Sequence, residues 1–320
     1  MRLSLLIIGM LLVPFFGLSQ DKTKKEKEIN IKLRPVNKNT YYLEGKGGNI
    51  GMHLGENEIL LIDSQFAEIS NSILEKIQIL SPNPIKFLIN THHHGDHTGG
   101  NENFKQSGAT IIGHKNLRGT DTNDLEKMSD LERKKARTNL MPVEKMPQIT
   151  FDEDLKIYLG KEEIYAFHVS EAHTNGDVVV YIPSTNVIHT GDVFFNKKYP
   201  YIDLSSGGSV WGVIEALEEI YMMCDNSTKI IPGHGPVGNA NDLRNTIIML
   251  TGFMKRVENS YLQGKTEEEV ANMEEITASY DSRGFGDGYI NGEKLRRTMY
   301  KEVEKEFQKK RKEQQKEEKK

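Results

Sequence analysis

Cysteine is almost absent: Cys224 is the only one in 320 residues. A lone thiol cannot form an internal disulfide, so cysteine usage leaves the redox compartment open. A basic excess is missing too, since 42 Lys and Arg face 46 Asp and Glu for a net charge of -4. That balance speaks against a nucleic-acid partner, which would normally show as a basic stripe or patch. There is no serine or cysteine in a triad-like context, no sequence repeat and no linker-like break in composition. One folded domain is the simplest organisation. What remains, 37% hydrophobic and 28% charged residues, reads as a soluble globular chain long enough for one large core or two ordinary ones.

The one long apolar run lies at the start. Met1-Arg2 precedes a mostly apolar stretch over residues 3–18, after which Ser19-Gln20-Asp21-Lys22 turns abruptly polar. The run is shorter than the usual membrane span of about 20 residues, and the small residues Gly17 and Ser19 suit cleavage before Gln20. Residues 1–19 therefore read as a secretory signal peptide, which places the mature protein in a periplasm or outside the cell with no stable membrane anchor. No cysteine flanks the cleavage point, which argues against a lipoprotein. Residues 20–40 read as a charged leader, 41–300 as the folded domain and 301–320 as a charged tail, solvated from Gln308 onward.

One stretch organises the rest: Thr91-His92-His93-His94-Gly95-Asp96-His97-Thr98-Gly99-Gly100 follows an apolar, strand-like run at residues 85–90. His92, His94, Asp96 and His97 are four metal-capable side chains within six residues. Imidazole with carboxylate suits zinc and neighbouring metals, whereas magnesium or calcium would call for nearly all-oxygen ligands. Three glycines argue for a loop rather than a helix. On a loop, His92 and His94 can face one position while Asp96 and His97 reach a second, so two ions are plausible.

The pattern His-x-His-x-Asp-His resembles the signature of the metallo-β-lactamase-fold hydrolases. The family's later motifs follow in order: His173 in Ala172-His173-Thr174-Asn175-Gly176-Asp177, Asp192 in Thr190-Gly191-Asp192, and His234 in Pro232-Gly233-His234-Gly235-Pro236. The likeness spans about residues 40–240. It implies an α/β fold, a four-layer αββα sandwich with the metals at one edge of paired sheets. It implies two Zn2+ per chain, one held by His92, His94 and His173, the other by Asp96, His97 and His234, with Asp192 between them. Asp63, closing the apolar 59–62 run, would accept a hydrogen bond and fix the metal loop. A hydroxide bridging the metals, available at neutral pH because zinc brings a water pKa to about 7, would attack a small substrate's carbonyl. Asp96 would be the catalytic residue that orients it and passes on a proton.

This points to an exported zinc hydrolase of a cyclic amide or ester, β-lactams included. The alternatives are a zinc lactonase or a thioesterase of the hydroxyacylglutathione hydrolase kind, and a metal-bearing binding protein without turnover. Departures from the family sharpen the choice. Cys224 lies outside any ligand motif, which weakens the case for a β-lactamase with a cysteine ligand. Phe195 stands near where quorum-quenching lactonases carry a catalytic tyrosine. His94 replaces the glutamate of the iron flavoproteins, and export with mild acidity fits the nucleases poorly.

After Asp192, the segment 193–201 supplies Asn196, Tyr199 and Tyr201 as candidate substrate contacts, with Lys197 or Lys198 available for a substrate carboxylate. His53, His93, His114, His168 and His189 read as ordinary imidazoles, and Trp211 as core. Helices are predicted over residues 69–80, 101–106, 124–138, 210–223, 241–262, 266–273 and 293–320. The 115–147 stretch is either a lid or a surface helix.

Overall fold

Ile59-Leu60-Leu61-Ile62 is apolar throughout because both faces of that strand are covered. Leu60 and Ile62 face one core and Ile59 and Leu61 another, the separation that a side-chain period of two imposes. The computed structural model describes residues 30–119 and 141–318. The predicted signal peptide, residues 20–29 of the leader, and the helix over 124–138 with its lid reading lie outside the described residues.

The first sheet holds seven strands in chain order: β1 (Lys32–Asn37), β2 (Thr40–Glu44), β3 (Ile50–Leu54), β4 (Ile59–Ile62), β5 (Ile85–Ile89), β6 (Thr110–His114) and β7 (Ile149–Phe151). Strands β1 to β4 pair antiparallel, and β4 to β7 pair parallel. The second sheet holds five: β8 (Asp154–Leu159), β9 (Glu162–Val169), β10 (Asp177–Ile182), β11 (Val187–His189) and β12 (Lys229–Ile231). Its last pair, β11 with β12, is parallel.

Four layers follow from three apolar clusters. Between the sheets, Leu60, Ile62, Ile89 and Ile112 meet Ile157, Ile164, Val178 and Val180. Outside the first sheet, α1 (Ser70–Leu80) and α3 (Asn101–Gln106) lay Ile73, Ile77 and Phe104 on Leu61, Leu88 and Ile111. Outside the second, α4 (Val210–Met222), α5 (Ala240–Leu262) and α8 (Gly292–Glu317) cover Val179, Ile188 and Ile230. Short helices α6 (Glu267–Ala271) and α7 (Ala278–Asp281) join α5 to α8. The arrangement is the αββα sandwich expected from the sequence. Among the described residues, no helix is long and apolar enough to cross a membrane.

Two boundaries differ from the sequence reading. The packed domain begins by Ile31, not at residue 41: Ile31 is buried and β1 pairs with β2. Its alternating Ile31-Lys32-Leu33-Arg34 carries one apolar face on an edge strand, so its charges hid it. At the other end α8 runs without a break across residue 301, and Glu302 and Val303 are buried. From Gln308 to Glu318 every residue is exposed.

Glu302 is buried because it caps α4. Its carboxylate accepts from Val210 N at 2.7 Å, from Trp211 N at 3.3 Å and from the Ser209 hydroxyl, satisfying N–H groups that a helix leaves without internal partners. Glu302→Ala is expected to cost about 1–3 kcal/mol, the loss for leaving a buried donor unsatisfied. Urea unfolding of parent and variant, with an unchanged slope and a lower midpoint, checks it.

Candidate metal centre

Every side chain the motifs supplied stands on a loop at one edge of the sandwich. The loop after β5 carries His92 to His97, the β9–β10 loop His173, the turn after β11 Asp192, and the loop after β12 His234. The first of these is not wholly irregular. Residues Gly95–Thr98 form a single helical turn, α2, closed by His97 N and Thr98 N on the His94 carbonyl, each at 3.0 Å. The turn separates His92 and His94 from Asp96 and His97.

Two groups result. His92, His94, His173 and Asp192 form one, and Asp96, His97 and His234 the other, with each group's candidate ligand atoms all within 4.8 Å of one another. Asp192 faces both. Its Oδ2 lies 3.6 Å from His173 Nε2 and 3.9 Å from His92 Nε2, while its Oδ1 lies 3.1 Å from His97 Nε2 and 3.4 Å from His234 Nε2. Asp96 Oδ2 sits 3.2 Å from His234 Nε2 and 3.6 Å from His97 Nε2.

Surrounding groups fix which imidazole nitrogen faces inward. His97 Nδ1 donates to Asp63 Oδ2 at 2.7 Å, His173 Nδ1 to the Tyr201 carbonyl at 2.7 Å, and His94 Nε2 to Asp203 Oδ2 at 3.1 Å. The opposite nitrogens, His97 Nε2, His173 Nε2 and His94 Nδ1, face the centre, the last two 3.0 Å apart. Asp63 also accepts from Thr91 N and Thr91 Oγ1, both at 2.8 Å, so it holds both ends of the His92–His97 loop. It does so at a φ of 68°, a left-handed conformation unusual outside glycine. Asp177 binds the His173 loop in the same manner, accepting from Thr174 N and Oγ1. Burial raises its carboxyl to about 7.

Electrostatics agree with a cation-shaped gap. Burial works against charge on His97, yet the Asp192 and Asp63 carboxylates lift it well above the ordinary imidazole value. The same contest, burial against Asp192 and Asp96, raises His234 to about 9. His92 goes the other way, lowered by burial and by the neighbouring imidazoles. Burial also opposes charge on Asp192, but His97 and His234 hold it well below the carboxylate range. Three buried atoms, His92 Nε2, His97 Nε2 and Asp192 Oδ1, have no hydrogen-bond partner among the described residues. An orphaned buried polar atom costs about 1–3 kcal/mol, and these three converge on one space. The donor set of imidazole nitrogen and carboxylate oxygen fits a zinc-type cation. Glycines let the walls close: a Cβ at Gly233 would collide with Asp192 Oδ1, and one at Gly48 with the His97 ring.

A cavity of about 560 Å³ opens onto the second group. Asp96, Asp192 and His234 lie at its floor, with Phe66, Phe195, Tyr201, Tyr289 and Ile290 around it and Lys198 as a lining cation. Tyr201 is therefore among the lining residues. Asn196 is not: it is 3% exposed and its amide donates to the Pro236 carbonyl at 2.9 Å, bracing the His234 loop. Tyr199 offers the cavity only ring atoms, because its hydroxyl is committed to the Thr277 carbonyl and Asp281. Lys197 is exposed and outside the lining. Cys224 donates its thiol to the Ile220 carbonyl and packs with the outer helical core. Burial raises that thiol to about 11.

Sequence reasoning missed Asp203, Tyr289 and Ile290. Asp203 sits in an Asp-Leu-Ser-Ser turn whose capping signal is local, while its partner His94 is 109 residues away. Of the imidazoles set aside, His189 donates between the sheets to the Asn49 carbonyl at 3.2 Å, and His114 stacks on His168 at 3.8 Å.

Comparison with known proteins bears on this geometry. The family model described as the metallo-beta-lactamase superfamily matches residues 33–248. A metallo-beta-lactamase type 2 of Bacillus cereus is 21% identical over 240 residues, covering 72% of this chain and 87% of that protein. A hydroxyacylglutathione hydrolase of Rhodospirillum rubrum is 25% identical over 137 residues, 42% of this chain and 44% of that one. The solved structure of a metallo-beta-lactamase from Pontibacter korlensis superposes with a TM-score of 0.56 at 18% identity, covering 69% of this chain and 99% of the other.

Proposed function

We propose, from the premise that this chain belongs to the metallo-beta-lactamase superfamily and is a metal-dependent hydrolase, that it is an exported binuclear zinc enzyme opening the carbonyl bond of a cyclic amide or ester. One observation carries the binuclear reading: the Asp192 carboxylate turns one oxygen to each of the two histidine groups. His92, His94 and His173 would hold one zinc, and Asp96, His97 and His234 the other, with Asp192 shared. When bound, such ions supply Lewis acidity and a water acidic enough to attack at neutral pH.

The chain's own residues do the rest. Burial works against charge on Asp96, but the hydrogen bond from His234 and the nearby His97 keep its carboxyl lowered. Facing the cavity, it can take a proton from the attacking water and deliver it to the leaving atom. Tyr201, Phe195 and Lys198 line the approach, so an apolar ring and a substrate carboxylate both find partners. Export rests on residues 1–19, and N-terminal sequencing of the secreted or periplasmic protein starting at Gln20 would support it.

A second reading, hydrolysis of a thioester or lactone, draws support from the aspartate at position 192, from the lack of any cysteine near the site, and from the likeness to a hydroxyacylglutathione hydrolase. The test runs a chromogenic β-lactam, a lactone and a thioester against the mature zinc-loaded protein and its His92→Ala variant. Residues that merely support metal ligands are worth about 10–100-fold, so loss of at least about 100-fold is expected in the variant. A β-lactam left intact while lactone or thioester turns over would select the second reading. No turnover of any of the three with zinc bound would sink both and leave a binding protein.

A further inference from the structure

The outer wall of the cavity comes from a part of the chain that the family model does not reach. Tyr289 and Ile290 line the cavity beyond residue 248, where that match ends. The segment bearing them is firmly tied. Tyr199 N donates to the Phe285 carbonyl at 3.1 Å, and the Tyr199 hydroxyl donates to the Thr277 carbonyl at 3.2 Å and to Asp281 Oδ1 at 3.0 Å. The Phe285 ring packs against Tyr199 and Tyr280, and Ile290 is buried in the outer core. Buried Arg296, on α8, donates to Thr277 Oγ1, which in turn donates to Asp281.

Tyr289 contrasts with these anchors. The residue is 74% exposed at the cavity mouth, yet its ring meets Tyr201 edge to face at 5.5 Å and 89°. Tyr201 in turn stacks on His94 at 5.8 Å and 29°, while Phe195 stacks on His234 across the site at 5.0 Å and 23°. Aromatic surface thus continues from the histidine groups to solvent. The Tyr289 ring has the Lys294 ammonium 4.9 Å from its centroid, and an exposed aromatic ring beside a polar floor gains when an apolar group covers it.

We propose that Tyr289, held by the Tyr199 anchor, is a specificity-determining residue that makes this site select substrates bearing an aryl or other broad apolar group beside the scissile carbonyl. The proposal rests on the hydrolase reading of the same site. It assigns the C-terminal segment a job in substrate choice rather than in bond breaking.

Two readouts on the mature, zinc-loaded full chain test it. Calorimetry compares 1-naphthylacetate with acetate, which share the carboxylate, so their affinity ratio isolates the aryl contact. Kinetics compares phenylacetyl and acetyl versions of whichever substrate turns over. Tyr289→Ala is expected to lower the affinity ratio about 2- to 10-fold, the worth of an aromatic edge contact. It should raise KM for the phenylacetyl substrate alike, with kcat within about 2-fold, and Tyr289→Phe should restore both. A parent that does not discriminate, or an Ala variant with an unchanged ratio, overturns the wall even if hydrolysis is robust. If the ratio responds as expected but nothing is hydrolysed, the wall stands and the hydrolase reading falls.

Discussion

Asp192→Asn is expected to lower hydrolysis by about 10³-fold or more, since supporting residues alone are worth about 10–100-fold and this side chain serves two groups. The amide keeps the volume of the carboxylate but removes its charge and turns one oxygen into a donor. That donor would point at His97 and His234 or at His92 and His173, whose inward nitrogens are 3.1–3.9 Å away. Either orientation sets an N–H where a cation should lie. Both binding positions therefore weaken together, unlike the loss of a single histidine, which spares one group. The parent and variant kcat/KM, with zinc content measured on the same samples, check this; a variant within 10-fold of the parent and fully loaded contradicts it.

Asp63→Ala should damage stability and metal binding at once. Three donors, Thr91 N, Thr91 Oγ1 and His97 Nδ1, end on this one buried carboxylate, and each buried donor left unpaired costs about 1–3 kcal/mol. Alanine must also adopt the left-handed φ of 68°, which a Cβ without a polar side chain disfavours. A loss of about 3–5 kcal/mol is expected, in the range for breaking a buried charged network. Zinc affinity should fall about 10–100-fold, as for other carboxylates that orient a ligating histidine. Asp63→Asn separates the two effects: asparagine tolerates the backbone, but its amide cannot reproduce both acceptors. To accept an amide hydrogen at Nδ1, His97 must move its proton to Nε2, the nitrogen aimed at the metal position. Urea unfolding and chelator competition on both variants measure the split. An Asp63→Asn protein with parental zinc affinity would remove Asp63 from the site.

The motif at His92 to His97 was legible because its spacing is local, Asp192 and His234 because each follows an apolar strand by a few residues, and His173 because an apolar strand follows it. The doubly buried β4, read from its continuous apolar run, gave Asp63 its place. What stayed hidden depends on contacts distant in sequence. Asp203 meets His94 and Glu302 meets the start of α4 across 109 and about 92 residues, and neither leaves a periodic trace. The β1 strand was concealed by charges on its exposed face. Tyr199 was read as a substrate contact because it follows Asp192 closely, but its hydroxyl turned outward to a helical segment that no motif announces.

Zinc bound per chain, counted by plasma mass spectrometry after saturation and gel filtration, distinguishes one metal position from two joined by Asp192. Two per chain are expected in the parent and one in His234→Ala, which disrupts only the group with Asp96 and His97. A parent that saturates at one zinc while hydrolysing its substrate would contradict the shared role of Asp192, and a variant that still holds two would remove His234 from the second group.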